Sequence, residues 1–180
     1  GNSFVNYYEK DGLVSSVINS LYIDNNDKVW VSTSKGISIV SNQSITPFEH
    51  NDLFLDKRIG EVIIHNEKIW ISTQDDGIFC FQIQGNSLKS KLIKQFRVDF
   101  NDLKIRDICF SNSTIYISTS KGIFTIRNLK TEKFPFLEGV NVNSIEENSK
   151  GELWISTLEK GVCFFSKNEI RNINQSNSRL

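Results

Sequence analysis

The sequence predicts an all-β protein, and three observations carry that prediction. The 180 residues include no Ala and no Met, the types that most easily fill helices and irregular cores, and are rich in Ile, Val, Phe, Ser and Thr. One motif recurs four times: WVSTSKG from Trp30, WISTQDDG from Trp70, YISTSKG from Tyr116 and WISTLEKG from Trp154, at spacings of 40, 46 and 38 residues. A second segment precedes each copy, namely INSLYID, IGEVIIH, IRDICFS and VNSIEEN.

The elements follow in order. The upstream segments predict a first strand near 17–23, 58–64, 104–110 and 141–147, each ended by a polar turn (NNDK, NEK, NST, SKGE). The aromatic segments are second strands whose near-continuous apolar character suits burial on both faces. The pattern Thr33…Gly36, Thr73…Gly77, Thr119…Gly122 and Thr157…Gly161 is a hairpin turn with glycine at a positive-φ position, and the runs ISIV, IFCF, IFTI and VCFF are third strands. Weaker fourth strands follow in SITPF, KLIKQF, LKTEKF and EIRNI. A leading outer strand is expected over 3–8.

Four strands per unit of about 40 residues, repeated four times, is the pattern of a β-propeller blade. The blades expected are 13–48, 57–97, 103–134 and 139–173, forming one propeller segment over 1–180. A seven-bladed ring needs about 290 residues at this period, so the chain is expected to be part of a larger propeller, and its opening on Gly1 rather than Met fits a longer parent. Terminal blades with uncovered apolar faces would pack on the rest of that propeller or on another copy.

Charge and cysteine content narrow the function. There are 21 Lys and Arg against 21 Asp and Glu, so a basic surface for nucleic acid or anionic membrane is not expected. No apolar run long enough to span a bilayer occurs, so no direct membrane contact by this segment is expected. Cys80, Cys109 and Cys163 are odd in number, widely spaced and set in apolar runs, which reads as buried hydrophobes rather than disulfides or zinc ligands. Asp75-Asp76 lacks the alternating oxygen ligands of a calcium loop, so no metal is expected, nor any cofactor. A Ser-Thr nucleophile would need a base, and His50 and His65 fall outside the repeated motif; catalytic residues are not expected. The motif hydroxyls read as bonds to a neighbouring blade, and Trp30, Trp70, Tyr116 and Trp154 as interblade packing.

Residues 11–40, DGLVSSVINSLYIDNNDKVWVSTSKGISIV, resemble the two-component regulator propeller repeat, and the last unit, VNSIEENSKGELWISTLEKGVCFF, matches it comparably well. The two middle units lack the Gly-Leu-x-Ser entry, Tyr116 replaces Trp, and Ser32, Ser72, Ser118 and Ser156 stand where the family favours Gly. The resemblance implies a periplasmic or other extracytoplasmic sensor in an inner-membrane-anchored protein of the hybrid histidine kinase type, responding to a poly- or oligosaccharide. Any kinase domain would then lie in the parent and not in this segment. A propeller serving only as a protein–protein scaffold is the alternative.

A ligand is expected at the end where second-to-third-strand turns meet the connections between blades. Candidates there are Lys35, His50, Arg58, Asp75, Asp76, Arg106, Lys121 and Lys160, along with the turns Ser34-Lys35, Gln74-Asp75-Asp76, Ser120-Lys121 and Leu158-Glu159-Lys160 and the connections His50-Asn51-Asp52, Asp56-Lys57-Arg58, Asn101-Asp102 and Glu138-Gly139.

Overall fold

In the computed structural model, residues 4–42, 44–85, 89–97 and 103–173 are described. They form sixteen strands in four sheets of four, each with strands in sequence order and all determined pairings antiparallel. Blade 1 contains β1 (Ile18–Ile23), β2 (Val29–Thr33), β3 (Gly36–Ser41) and β4 (Ser44–Pro47). Blade 2 contains β5 (Ile59–His65), β6 (Lys68–Thr73), β7 (Gly77–Ile83) and β8 (Ser90–Phe96). Blade 3 contains β9 (Ile105–Ser111), β10 (Thr114–Thr119), β11 (Gly122–Arg127) and β12 (Lys130–Lys133). Blade 4 contains β13 (Val142–Glu147), β14 (Leu153–Thr157), β15 (Val162–Ser166) and β16 (Glu169–Ile173). The chain divides into two compact units, residues 1–93 and 94–180.

Local chemistry explains the hairpins. Among the described residues, four two-residue turns place both central residues at positive φ: Asn66-Glu67, Asn112-Ser113, Asn128-Leu129 and Lys167-Asn168. That is the geometry whose twist matches paired strands, and Asn tolerates it. At the other end the motif threonine pairs with the turn glycine, Thr33 with Gly36, Thr73 with Gly77 and Thr119 with Gly122. Each first-to-second-strand ladder also carries a register shift near this end, between Ile18 and Ser20, Ile59 and Val62, Ser118 and Thr119, and Val142 and Ser144. Such bulges bend and twist the strand there.

The cores lie between successive sheets. In the first unit Trp30, Phe48, Phe54, Val62, Ile71 and Phe81 pack in one cluster joining blades 1 and 2. Side chains also cross from β1: Asn19 Nδ2 donates to the Ile59 carbonyl at 2.8 Å, Tyr22 OH donates to the Ile64 carbonyl at 2.9 Å, and Ser20 donates to the Glu61 carboxylate. In the second unit Cys109, Tyr116, Phe134, Val142, Ile145 and Ile155 form the equivalent core between blades 3 and 4. There the Ile145 N–H donates to Asp107 Oδ2 at 2.9 Å.

Three expectations are corrected. Phe4–Tyr8 form no strand: these residues are exposed and lead into a 3-10 turn at Glu9–Asp11, where the Tyr8 N–H donates to Asp11 Oδ2 at 2.9 Å. Local bonds there replace a ladder. The motif threonines do not reach a neighbouring blade; each closes its own turn, as described below, whereas among the motif serines Ser118 does reach one, its hydroxyl donating to the Asn143 carbonyl of blade 4 at 3.4 Å. Trp154 is not enclosed between blades: 41% of it is exposed and it packs edge-on against Phe164 of its own sheet, whereas Trp30 is 1% exposed.

The cysteines are buried and unpaired. Desolvation is the largest cause pushing the thiols of Cys80 and Cys109 up to about 12 and raising that of Cys163. The native protein is therefore expected to give no prompt reaction with a thiol reagent near pH 8 and three equivalents after denaturation; fast labelling without denaturant would contradict the burial. Between the ordinary thiol value and about 12, the folded chain holds protons at Cys80 and Cys109 that the unfolded chain has lost. Their contribution to stability is thus complete below pH 9 and disappears as the pH rises toward 12, which alkaline melting curves would register.

Candidate functional site

Because the strands of each blade alternate in direction, the second-to-third-strand turns and the connections entering each first strand lie at one end of the sheet. One device ties them together in all four blades. The first turn residue donates its N–H to a carbonyl just before the first strand: Ser34 to Val17 at 3.0 Å, Gln74 to Arg58 at 2.8 Å, Ser120 to Lys104 at 3.0 Å and Leu158 to Asn141 at 2.9 Å. The threonine hydroxyl then donates to the turn glycine carbonyl, Thr33 to Gly36 at 2.7 Å, Thr73 to Gly77 at 2.9 Å, Thr119 to Gly122 at 2.8 Å and Thr157 to Gly161 at 2.8 Å. The same oxygen accepts the N–H of Lys35, Asp76, Lys121 or Lys160 at 2.9–3.2 Å.

A hydroxyl thus bridges each turn, which is why Thr recurs beside Gly. Thr73→Val preserves shape but removes both bonds from a buried site, and a loss of about 1–2 kcal/mol in unfolding free energy is expected by urea titration. An unchanged midpoint would sink this account of the motif.

The residues expected at this end are distributed over separate turns. Lys35 lies on the blade 1 turn and is exposed. Arg58, Asp75 and Asp76 come together in blade 2, where Arg58 Nη1 donates to Gln74 Oε1 at 3.0 Å and Asp76 pairs with Lys57 at 3.1 Å; Asp75 stays exposed. Lys121 and Lys160 occupy the turns of blades 3 and 4. Arg106 belongs to strand β9 rather than to a loop, and the pair Asn101-Asp102 lies outside the described residues. His50 does not point to an open mouth: its ring stacks on Phe81 at 4.9 Å and its Nε2 donates to the Ser90 carbonyl at 2.9 Å. Glu49 Oε1 accepts from the Ser90 hydroxyl at 3.0 Å and from the Ser90 N–H, and lies 3.4 Å from His50 Nε2. With Nε2 engaged by a backbone carbonyl and the serine turned to the carboxylate, this trio ties β8 to the preceding connection rather than forming a nucleophile with its base.

Sequence reasoning placed Lys57, Gln74 and Asn51 on the turns and connections of this end, but missed Glu49, Ser90, Lys133 and Phe134, which gain their partners only through folding. In blade 3 a cavity of about 280 Å³ opens at the turn end, lined by Leu103, Lys121, Phe124, Lys133, Phe134 and Glu138 among others. A wider groove of about 870 Å³ runs along β16 past Phe136, Lys160 and Arg171. Among the described residues no three His, Cys, Asp or Glu side chains gather as metal ligands, and no helix is long and apolar enough to cross a membrane.

Residues 12–35 match the family model described as two component regulator propeller. The structure is similar to the extracellular domain of a putative hybrid two component system from B. thetaiotaomicron, with a TM-score of 0.74 and 21% identity over 96% of this chain and 24% of that one. It is also similar to PorZ, a surface component of the type-IX secretion system of Porphyromonas gingivalis, with a TM-score of 0.69 and 14% identity over 91% of this chain and 28% of that one. The β-propeller domain of Cps50 (Swd1) from Myceliophteria thermophila is similar with a TM-score of 0.61 and 15% identity, over 87% of this chain and 51% of that one. The chain thus spans about a quarter of the first two, and the likenesses show the fold of propeller blades. No curated protein matches the chain.

Proposed function

We propose that this chain is a ligand-sensing propeller segment of a two-component signalling protein, working outside the cytoplasm and responding to an oligosaccharide. The match of residues 12–35 to the two component regulator propeller model is the observation that carries the reading. The likeness to the extracellular domain of a hybrid two component system supports it. The chain itself supplies binding surface and no catalytic group; signal output belongs to another part of the parent. Turns laced to the connections by hydrogen bonds suit a sensor, since a ligand on a turn bears directly on the blade-to-blade junction. Calorimetry of the purified chain against a panel of neutral and acidic oligosaccharides tests this reading. Saturable binding of one class supports it, and flat heats across the whole panel would count against it.

A specific observation favours a second reading, in which apolar blade faces dock protein. Leu21 and Ile23 of β1 are each 63% exposed, and Trp154 stands uncovered where Trp30 and Tyr116 are covered by a following blade. The occupant that fits is another propeller blade, presented by the parent or by a second copy, because that is what covers each equivalent face in the two units. Trp154→Lys is expected to reduce self-association of the isolated chain in sedimentation velocity without added sugar; a monomer at all concentrations before mutation would remove the second-copy form of this reading.

A further inference from the structure

The contact between blades 1 and 2 joins two unlike halves. Blade 1 presents its motif aromatic and third strand, and blade 2 presents its first strand, so that Trp30 and Ile37 share a core with Val62 and Ile64. Polar atoms fix the register: Asn19 Nδ2 donates to the Ile59 carbonyl at 2.8 Å, and Tyr22 OH donates to the Ile64 carbonyl at 2.9 Å. The second unit repeats the scheme, with Tyr116 and Ile123 of blade 3 packed with Ile145 of blade 4.

Both halves also occur uncovered. On blade 4, Trp154 is 41% and Val162 39% exposed, where Trp30 and Ile37 are 1% and 0%. Val162 is the counterpart of Ile37, since it pairs with Ser156 as Ile37 pairs with Ser32. On blade 1, Leu21 and Ile23 are each 63% exposed, whereas Val62 and Ile145, which hold the place of Leu21 in their own ladders, are each 1%.

The two uncovered faces match each other. Leu21 and Ile23 give β1 the apolar pair that Val62 and Ile64 give β5. Asn143 follows Val142 as Asn19 follows Ile18, and it is exposed on the strand that an incoming blade would meet. The carbonyl at the Ile59 position is that of Ile18, because Ile18 pairs with Thr33 as Ile59 pairs with Thr73. Two unlike apolar faces on one molecule make a heterologous contact, in which each copy offers one face to the next. We propose that the chain associates head to tail with a second copy, blade 4 of one laid on β1 of the other as blade 1 is laid on blade 2, with Asn143 donating to the Ile18 carbonyl of the second copy. This rests on the blade-docking reading above and names its occupant and register. The same register carries one flaw. Glu146 pairs with Trp154 as Tyr22 pairs with Trp30, so its carboxylate meets the Ile23 carbonyl of the second copy, acceptor against acceptor, where Tyr22 donates to Ile64.

The test is sedimentation velocity of the whole chain and of Leu21→Lys, Trp154→Lys and Glu146→Tyr, all at exposed positions. The unmodified chain is expected to associate reversibly, and either lysine variant alone to raise the Kd about tenfold or more, since each sets a charge in the apolar centre of the contact. An equimolar mixture of the two lysine variants is expected to form a 1:1 complex, because Leu21→Lys keeps the blade 4 face and Trp154→Lys keeps the blade 1 face. That recovery also shows both variants to be folded. Glu146→Tyr supplies the missing donor and is expected to tighten association about tenfold. If Leu21→Lys self-associates as tightly as the unmodified chain, or the mixture stays monomeric, the head-to-tail contact is overturned while docking of protein on these faces stands. An unchanged Kd for Glu146→Tyr overturns the register. A chain that is monomeric at all concentrations before mutation overturns the proposal together with the second-copy form of that reading.

Discussion

Trp30→Ala is expected to lower the unfolding free energy by about 3–5 kcal/mol, while Trp154→Ala, the same position in the motif, lowers it by roughly 1 kcal/mol or less. Trp30 is 1% exposed in the core joining blades 1 and 2, edge-on to Phe48 at 5.7 Å, with its indole N–H donating to Asp24 Oδ2 at 3.1 Å. Truncation there leaves both a void and an unmet carboxylate oxygen. Trp154 is 41% exposed and contacts mainly Phe164, so truncation removes little that folding had taken from water. Urea titration of both variants provides the comparison. Equal losses would mean that the two ends of the repeat array are equally enclosed in solution, contrary to the structure.

Asp24→Ala is the second large effect, expected at about 2–3 kcal/mol, with Asp24→Asn retaining much of the difference. One carboxylate organises the whole turn between β1 and β2. Its Oδ1 accepts the N–H of Asn26 at 2.8 Å and of Lys28 at 3.1 Å, its Oδ2 takes the Trp30 indole, and the residue is 9% exposed. Blade 4 reproduces the turn with an amide. Asn148 Oδ1 accepts from Lys150 and Glu152 at 2.9 and 3.1 Å, and its Nδ2 donates to Glu152 Oε2 at 2.8 Å rather than leaving an oxygen for the exposed Trp154. Asn148→Ala is therefore less damaging than Asp24→Ala. A thermal midpoint for Asp24→Ala within a degree of the parent would refute the role given to the carboxylate.

Much of this architecture could be read from sequence because blades are local objects. Alternation, turn glycines and the six-residue step from Asp24 to Trp30 and from Asn148 to Trp154 are all set within about forty residues, and the first strands expected at 17–23, 58–64, 104–110 and 141–147 lie within a residue of β1, β5, β9 and β13. What escaped depends on partners far along the chain. Whether a motif tryptophan is covered is decided by the following sheet, not by the motif. His50 looked like an open rim residue until Phe81 and Ser90, thirty-one and forty residues on, were brought against it. The threonine was readable as structural, but its partner was misjudged because a hydroxyl beside a tight turn finds its own carbonyl sooner than a neighbour's.

The connections carry a consequence for synthesis. Blade 1 has its last strand residue at Pro47, yet the N–H and carbonyl of Ile37 are satisfied by Phe48 and Asn51, and the Lys121 carbonyl of blade 3 is likewise held by the Gly139 N–H at 3.0 Å. A blade emerging from the ribosome is thus unfinished until several residues of the next connection have followed it. Blades 1 and 3 are each latched by the connection that follows them, so for these two the order of translation is also the order of closure, and a chain stalled just past Pro47 or Lys133 would leave that blade unlatched and open to proteolysis.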